Sequence, residues 1–278
     1  MSAILPRKVT GYSDISEQVL SEKSIIRSIS NLSVQGSPGT TAVSVFVNAL
    51  ATVATYTPGS GVSKTEDTSA YVTLNNLKEI AVNEILDGYT QETAPADIIA
   101  SRFAGAVEGI GESIDTVCLA AVVAGGTELV AAAGAEPTAA LMYGKILALK
   151  KALDNAKAPR TGRSLIVDPD REALLLDTDS KIILNTGGER ANNILNEGWI
   201  GRVAGFDVYS TTLLPAATNI IAMQKRGFAF KDNWKIEPRL QSLDGSGTFI
   251  GDSAIQARYA YNYGAVRATL IQVDNGRA

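Results

Sequence analysis

Between Ala42 and Tyr56 the chain reads AVSVFVNALATVATY, and the odd positions Val43, Val45, Val47, Ala49, Ala51 and Val53 are all apolar. A two-residue period puts them on one face of a strand. A second strand starts at Tyr71 in YVTLNNLKEIAVNEIL. The intervening TPGSGVSKTEDTSA is Gly, Ser, Thr and charge, which is turn material. The pair predicts a long hairpin with a projecting tip. A two-stranded ribbon is marginal alone in water, so a projecting one predicts a partner beneath it. Ahead of it, residues 12–35 carry weak helical periodicity through Ile15, Val19, Ile25, Ile26 and Ile29. Their apolar density does not support independent folding, and they read as an arm lying on another surface.

The strongest helical signal follows. Thr93 suits the N-cap, Pro95 the first turn and Asp97 the positive end of the dipole. Ile99, Phe103, Val107, Ile110, Ile114, Val117 and Ala121 then recur at three- and four-residue steps. Roughly thirty residues give a beam about 45 Å long. Gly105 and Gly109 each weaken it by about 1 kcal/mol relative to alanine, which predicts close packing or a bend there.

After the Ala/Gly-rich link 124–136 the pattern becomes α/β. A helix is predicted over Thr138–Ala156 and a short buried strand in SLIV (164–167). A further helix starts at Asp168–Pro169, an N-cap followed by proline at the first helical position. The segment EGWIGRVAGFDVYSTTLLP (197–215) is punctuated by Gly198, Gly201 and Gly205, with a tight turn at Ala204–Gly205 leading into the strand FDVYST. The remainder reads as strands: NIIAMQ, FAF, WKIEPRL and IQARYAYNYGAVRATLIQV.

Composition removes chemistry from this picture. The 278 residues include no histidine and one cysteine, Cys118. Zinc sites of the usual His/Cys kind, histidine-assisted nucleophiles and disulfides within one chain are thereby excluded. Cys118 lies in an apolar helical run and reads as a buried hydrophobe. Net charge is −4, which offers nucleic acid no global basic field. Charge is polarised, however: residues 61–115 hold ten acidic and three basic side chains, and residues 225–278 five acidic and eight basic. That asymmetry suits head-to-tail contacts between copies. MSAILPRKVTGYSD carries no signal-peptide run, and VCLAAVVAGG is too short and Gly-broken to span a bilayer, so a soluble cytosolic protein is expected.

Local motifs fail one by one. A phosphate loop around Gly144–Lys145 would need glycine at 139 and a hydroxyl at 146, where Ala139 and Ile146 stand. GAVEGIGES (105–113) has glycines but lies inside the helix. In DPDREALLLDTD, Asp168 reads as an N-cap and Asp177 and Asp179 as turn residues. Glu108, Glu112 and Asp115 read as one solvated or intersubunit face of the beam. Asn31-Leu-Ser33 matches a glycosylation sequon without a secretion signal. No catalytic, cofactor or metal site is expected.

Three segments carry a resemblance. RSLIVDPDREALLLD, GWIGRVAGFDVYSTTLLP and QARYAYNYGAVRATLIQV resemble the axial-domain strand and helix, a recurrent glycine-punctuated segment and the closing strands of tailed-bacteriophage major capsid proteins. These have the Hong Kong 97-type fold, and the order of elements is similar over nearly the whole chain. The resemblance implies an α+β chain with an N-terminal arm (1–36) and an extended hairpin loop (37–75). A peripheral domain (76–135) would contain a spine helix at 94–124, and an axial domain would span 136–217. Residues 218–278 would return as peripheral strands, the last of them open to rejoining the axial domain.

It further implies self-assembly through pentamers and hexamers into an icosahedral shell enclosing double-stranded DNA without sequence-specific binding. A portal, a decoration protein and a separate scaffolding protein would be partners, and no membrane is involved. The virion would be its location, after assembly in the host cytoplasm. Intersubunit contacts are expected at Lys64, Glu66 and Asp67 on the hairpin tip and at Trp199, Arg202 and Phe206 in the axial part. An encapsulin-like shell that encloses protein cargo is the alternative, and a carboxylate-dependent enzyme stands behind both. Some family members weld subunits by an isopeptide bond from a loop lysine to an asparagine, promoted by a glutamate. Here the strand GTFIGDSAIQARYA has neither residue, so a shell without covalent links is expected despite Lys64.

Overall fold

The computed structural model describes residues 24–33, 41–62, 64–88, 96–129, 138–177, 201–216, 218, 220–244 and 251–275, with the backbone alone over 96–101. Helix α1 is Ile25–Ile29. Strands β1 (Val43–Val47) and β2 (Ala70–Leu74) form an antiparallel ribbon in which Val45 faces Val72. Strand β3 (Asn76–Leu86) leads to helix α2 (Ala96–Gly125) and the short β4 (Thr127–Glu128). Then come α3 (Ala139–Asn155), β5 (Arg163–Val167), α4 (Pro169–Leu176), β6 (Arg202–Val203) and β7 (Phe206–Ser210). Strands β8 (Ile220–Gln224), β9 (Phe228–Ser242), β10 (Ser253–Ala265) and β11 (Ile271–Asp274) complete the chain. Besides the ribbon there is a three-stranded sheet ordered β3-β10-β9 and a six-stranded sheet ordered β4-β11-β8-β5-β7-β6.

The central strands β11, β8 and β5 of the six-stranded sheet are buried on both sides, and alternation decides which side chain goes where. Leu165, Val167, Ile220 and Ala222 pack with Met142, Ile146, Leu149 and Leu153 of α3. Their neighbours Ile166, Ile221 and Met223 join Ile114, Cys118, Leu119 and Val122 of α2, together with Phe230 and Tyr261. All five residues of β5 and all five of β8 are therefore buried. A sheet covered on both faces reads as a continuous apolar run rather than an alternating one. β5 pairs in parallel with β7 and antiparallel with β8, and β11 extends the sheet on the far side of β8. Strand β8, grouped by sequence with the part beyond residue 218, thus shares hydrogen bonds with the strand at 163–167, and β11 joins the same sheet through β8.

Helix α2 runs 30 residues and buries one face. Phe103, Val107, Ile110, Ile114, Cys118 and Val122 are all within 7% of full burial. Its end fits tightly: a Cβ at Gly126 would sit 2.8 Å from both Ile271 Cγ2 and Val273 Cγ2. The sequence start signal at Thr93 and Pro95 lies outside the described residues.

The long strand β9 contains Pro238, which a central strand would reject. Two features admit it. β9 is the edge of its sheet, and the pairing shifts there, with Arg239 opposite Gln256 but Ile236 opposite Arg258. The extra residue is a bulge that absorbs the proline. A second shift lies between Ala260 and Tyr261, beside Asn233, whose amide donates to Asn262 Oδ1 at 3.0 Å. The tight turn expected at Ala204–Gly205 is present: φ is +51° and +93°, and Val203 pairs with Phe206. Two successive left-handed residues are what a two-residue hairpin of this twist requires.

Two expectations are corrected. The strand predicted over 42–56 ends at Val47, and the one predicted from Tyr71 is two strands, separated at Asn75 and belonging to different sheets. The apolar alternation beyond Val47 finds no packing surface among the described residues: Leu50 and Val53 are 88% and 92% exposed. Gly105 and Gly109 do not mark close packing, since a Cβ at either position meets no atom within 4 Å. Gly105→Ala and Gly109→Ala should each stabilise the free subunit by about 0.5–1 kcal/mol through lost unfolded-state entropy and better helix propensity. Urea unfolding of the two variants checks this, and a loss of stability in either would contradict it.

Candidate functional site

The β1–β2 ribbon is fastened at its base and free at its end. Val43, Val45 and Leu74 are buried with Ala229. The Asn262 amide donates to Thr41 O at 3.0 Å and the Arg267 guanidinium to Asn48 O at 2.8 Å. Asn262 is fully buried, so its side chain acts as a rivet between the hairpin and β10. Further out, the Asp67 carboxylate accepts from the Ser69 hydroxyl at 2.7 Å and the Ser69 amide at 2.9 Å. Those two bonds, the hydroxyl's first, hold Asp67 below its usual carboxylate pKa. The Ser69 hydroxyl also accepts from the Ala49 amide at 2.9 Å, which ties the two sides of the loop together. Thr57 and Gly61 close a small turn at the tip.

What this loop presents is apolar. Leu50 and Val53 stand out fully, Tyr56 is 68% exposed, and Phe46 and Tyr71 stack at 4.9 Å on the ribbon's outer face. Burying one such side chain stabilises by about 1.5–3 kcal/mol, and the single chain forgoes that on all of them. Lys64 and Glu66 are exposed beside them, whereas Asp67 already has a local task in the turn.

A second surface lies where α1 meets α2. Helix α1 lies across the beam with Ile26 and Ile29 fully buried. Asp115 was read from sequence as part of a solvated or intersubunit face with Glu108 and Glu112; it is instead 3% exposed. Its carboxylate accepts from the Ser24 hydroxyl at 2.9 Å and from the amides of Ile25 at 3.0 Å and Ile26 at 3.4 Å. The spacing 108-112-115 could not reveal this, because the partners are some ninety residues away in sequence. Glu108 and Glu112 remain exposed. Arg27 reaches the other way, to the Tyr259 hydroxyl at 2.9 Å and to Asp232 at 3.3 Å. Next to Arg27 a groove of about 250 Å³ opens between Val107 and Ile110 of α2 and Trp234, Ile236 and Pro238 of β9. The Arg258 guanidinium lies 4.8 Å from the centre of the Trp234 ring.

Sequence-expected contacts in the six-stranded part divide. Arg202 is exposed and pairs with Asp207 at 3.2 Å. Phe206 is fully buried among Val203, Leu165 and the α3 residues. It is corrected here from a contact to a core residue, because inward alternation along β7 gives it no outer surface. Trp199 lies outside the described residues.

Candidate chemistry stays sparse. Asp168 caps α4, accepting from the Arg171 amide at 2.9 Å. Cys118 is buried, and desolvation pushes its thiol far above the nucleophilic range, with the Asp115 charge adding to the shift. Among the described residues no group of three or more Cys, Asp or Glu side chains could hold a metal, and no helix is long and apolar enough to cross a membrane.

A family model described as phage capsid protein matches residues 88–271, from the end of β3 to the start of β11. The chain belongs to the phage capsid protein family. Its fold agrees with that. A structure titled for Mycobacterium phage Che8 superposes with a TM-score of 0.74 at 19% identity, covering 91% of this chain and 92% of that one. The capsid structure of the Cyanophage P-SCSP1u gives 0.72 at 11% identity, covering 91% and 88%. A virus-like particle from Pyrococcus furiosus gives 0.57 at 14% identity, covering 96% and 99%. No curated protein matches the sequence significantly. The fold is therefore that of capsid shells, and this chain is a capsid shell protein whose exposed apolar surfaces are the ones described above.

In this capsid protein the buried Asp115 sets a pH dependence. Burial raises its carboxyl above the ordinary value of 3.8, opposed by the Ile25 amide, the Ser24 hydroxyl, the Ile26 amide and the Arg27 charge. The folded state then holds the proton more tightly than the unfolded chain. Its contribution to stability is complete below the unfolded-state pKa and is lost as pH rises through the folded-state pKa. The unfolding free energy of wild type minus that of Asp115→Asn should fall as pH rises from below the ordinary carboxylate value through the raised folded-state pKa of Asp115. Urea titrations of both proteins at several pH values measure the difference; a difference that stays flat or rises would contradict the assignment.

Proposed function

We propose that this capsid protein assembles, through rings of five and six copies, into the icosahedral shell of a phage head around double-stranded DNA. The observation that carries this reading is the loop between β1 and β2, which is fastened to its own subunit but presents Leu50, Val53 and Tyr56 to solvent. Apolar side chains displayed on a ribbon that cannot support itself need a neighbour's surface. The acidic bias of residues 61–115 against the basic bias of residues 225–278 supports contacts between unlike faces. Such contacts close into rings by rotation, and complementary charge sets their register.

In this reading Lys64, Glu66 and the exposed Arg202 sit at contacts between copies, and scaffolding and portal proteins act as separate partners. No covalent weld is part of it. Two polar side chains of that closing segment are engaged locally: Asp252, just before β10, accepts from the Gly88 amide at 2.9 Å, and Gln256 on β10 donates to Asn83 at 3.3 Å. Shell stability then belongs to the assembly, summed over many apolar contacts per subunit.

Removing residues 58–69 tests the proposal, because the deleted tip contributes nothing to the four buried clusters. Wild-type protein, alone or with its scaffold, should give closed shells by electron microscopy and a single monomer band after boiling in detergent. Shells recovered from infected cells should contain DNA. The deletion variant should fold, with unchanged circular dichroism, yet form no stable shells. Shells from the deletion variant, or shells filled with protein cargo in place of DNA, would overturn the reading.

A further inference from the structure

We propose that Asp115 is an anchor that holds α1 against α2, by serving as the cap of a helix that cannot cap itself. The proposal goes beyond the capsid reading and does not rest on it, because the anchor is a property of the single subunit.

Helix α1 has five residues, well below the length at which a helix is stable alone. Its N-cap residue, Ser24, has the extended backbone of a cap, but its side chain makes no capping bond to its own helix. The Ser24 hydroxyl donates instead to Asp115 Oδ1, and the opening amides of Ile25 and Ile26 turn to the same carboxylate. One side chain of α2 thus supplies what the local sequence normally supplies. Its negative charge also suits the positive end of the helix. Without Asp115, two amides and a hydroxyl would be left buried and unpaired.

Two more attachments give the anchor its function. Arg27 binds Asp232 and the Tyr259 hydroxyl, so α1 is held to the β9–β10 sheet as well as to α2. Asn31 then pairs with β9, its amide donating to Phe228 O at 2.9 Å and its carbonyl accepting from Phe230 at 3.2 Å. The segment 24–31 is therefore part of the subunit's own packing. If the Asp115 attachment is released, α1 can leave the beam while the Asn31 pairing holds, and the buried strip of Ile26 and Ile29 leaves with it. The docking of α1 and the exposure of the α2 surface beneath it are thereby coupled through one carboxylate.

Trypsin reads this directly, because Lys23 and Arg27 flank the anchor. Purified full-length subunits are digested briefly, and the resistant core is identified by mass spectrometry. Cleavage inside a docked segment requires that segment to open first, so its rate follows the open population. Wild-type core should begin at Ser24. In Asp115→Ala, cleavage after Arg27 should rise on the order of tenfold or more, because several bonds to a charged group are lost together, and the core should begin at Ser28. Asp115→Asn, which keeps one accepting oxygen, should fall between the two.

Ser24→Ala leaves both amide bonds in place and should raise cleavage after Arg27 by a few-fold, on the scale of one lost hydrogen bond to a charged group. It also decides the matter if Asp115→Ala fails to fold. Unchanged cleavage after Arg27 in the folded variants would overturn the anchor. Because the digest is done on free subunits, that failure is distinguishable from failure to form shells, which would count against the capsid reading instead.

Discussion

The constraint on which the structure depends is that β5 and β8 must satisfy a hydrophobic core on each face at once. Leu165 and Val167 point to α3 while Ile166 points to α2, and Ile220 and Ala222 oppose Ile221 and Met223 in the same way. A one-residue slip in either strand would exchange the two sets. The register therefore locks both lobes to one wall. From that wall follow the placement of the beam and the tight fit of Gly126 under β11.

Polar groups buried near the wall hold its corners. The Arg163 guanidinium is almost fully buried; it donates to Asp154 at 2.7 Å and to the carbonyls of Ala158 and Pro159 at 2.7 and 2.9 Å. It thereby closes the end of α3 against the start of β5. Lys145 and the buried Asp274 pair at 2.9 Å and fasten α3 to β11. Such contacts add little net stability when measured against water, yet they fix geometry. The apolar ribbon loop is the reverse case: its geometry is fixed at the base while Leu50, Val53 and Tyr56 stay exposed, and in the proposed shell their burial falls to other copies.

Much of this was legible in the sequence. The beam, the Asp168–Pro169 helix start, the Ala204–Gly205 turn and the capsid resemblance all rest on local signals of period, cap and turn chemistry. What escaped was non-local. The strand alternation past Val47 is real in sequence but lacks a packing partner among the described residues. Asp115 looks like one member of a charged stripe until Ser24 arrives from ninety residues away. Phe206 looks like a displayed aromatic until β7 is placed inside the sheet, and two helix glycines that suggested tight packing face open space. Each miss is a case in which the tertiary neighbour, invisible in a local window, decided the environment.

The central claim is that the subunit is complete at the wall and incomplete at the loop. Hydrogen exchange followed by mass spectrometry, on free subunits and on assembled particles, tests it most directly. Amides of 163–167, 220–224 and 253–265 should exchange slowly in both states. Those of 48–62 should exchange rapidly in free subunits and become protected only in particles. Equal protection of 48–62 in the two states would contradict the account.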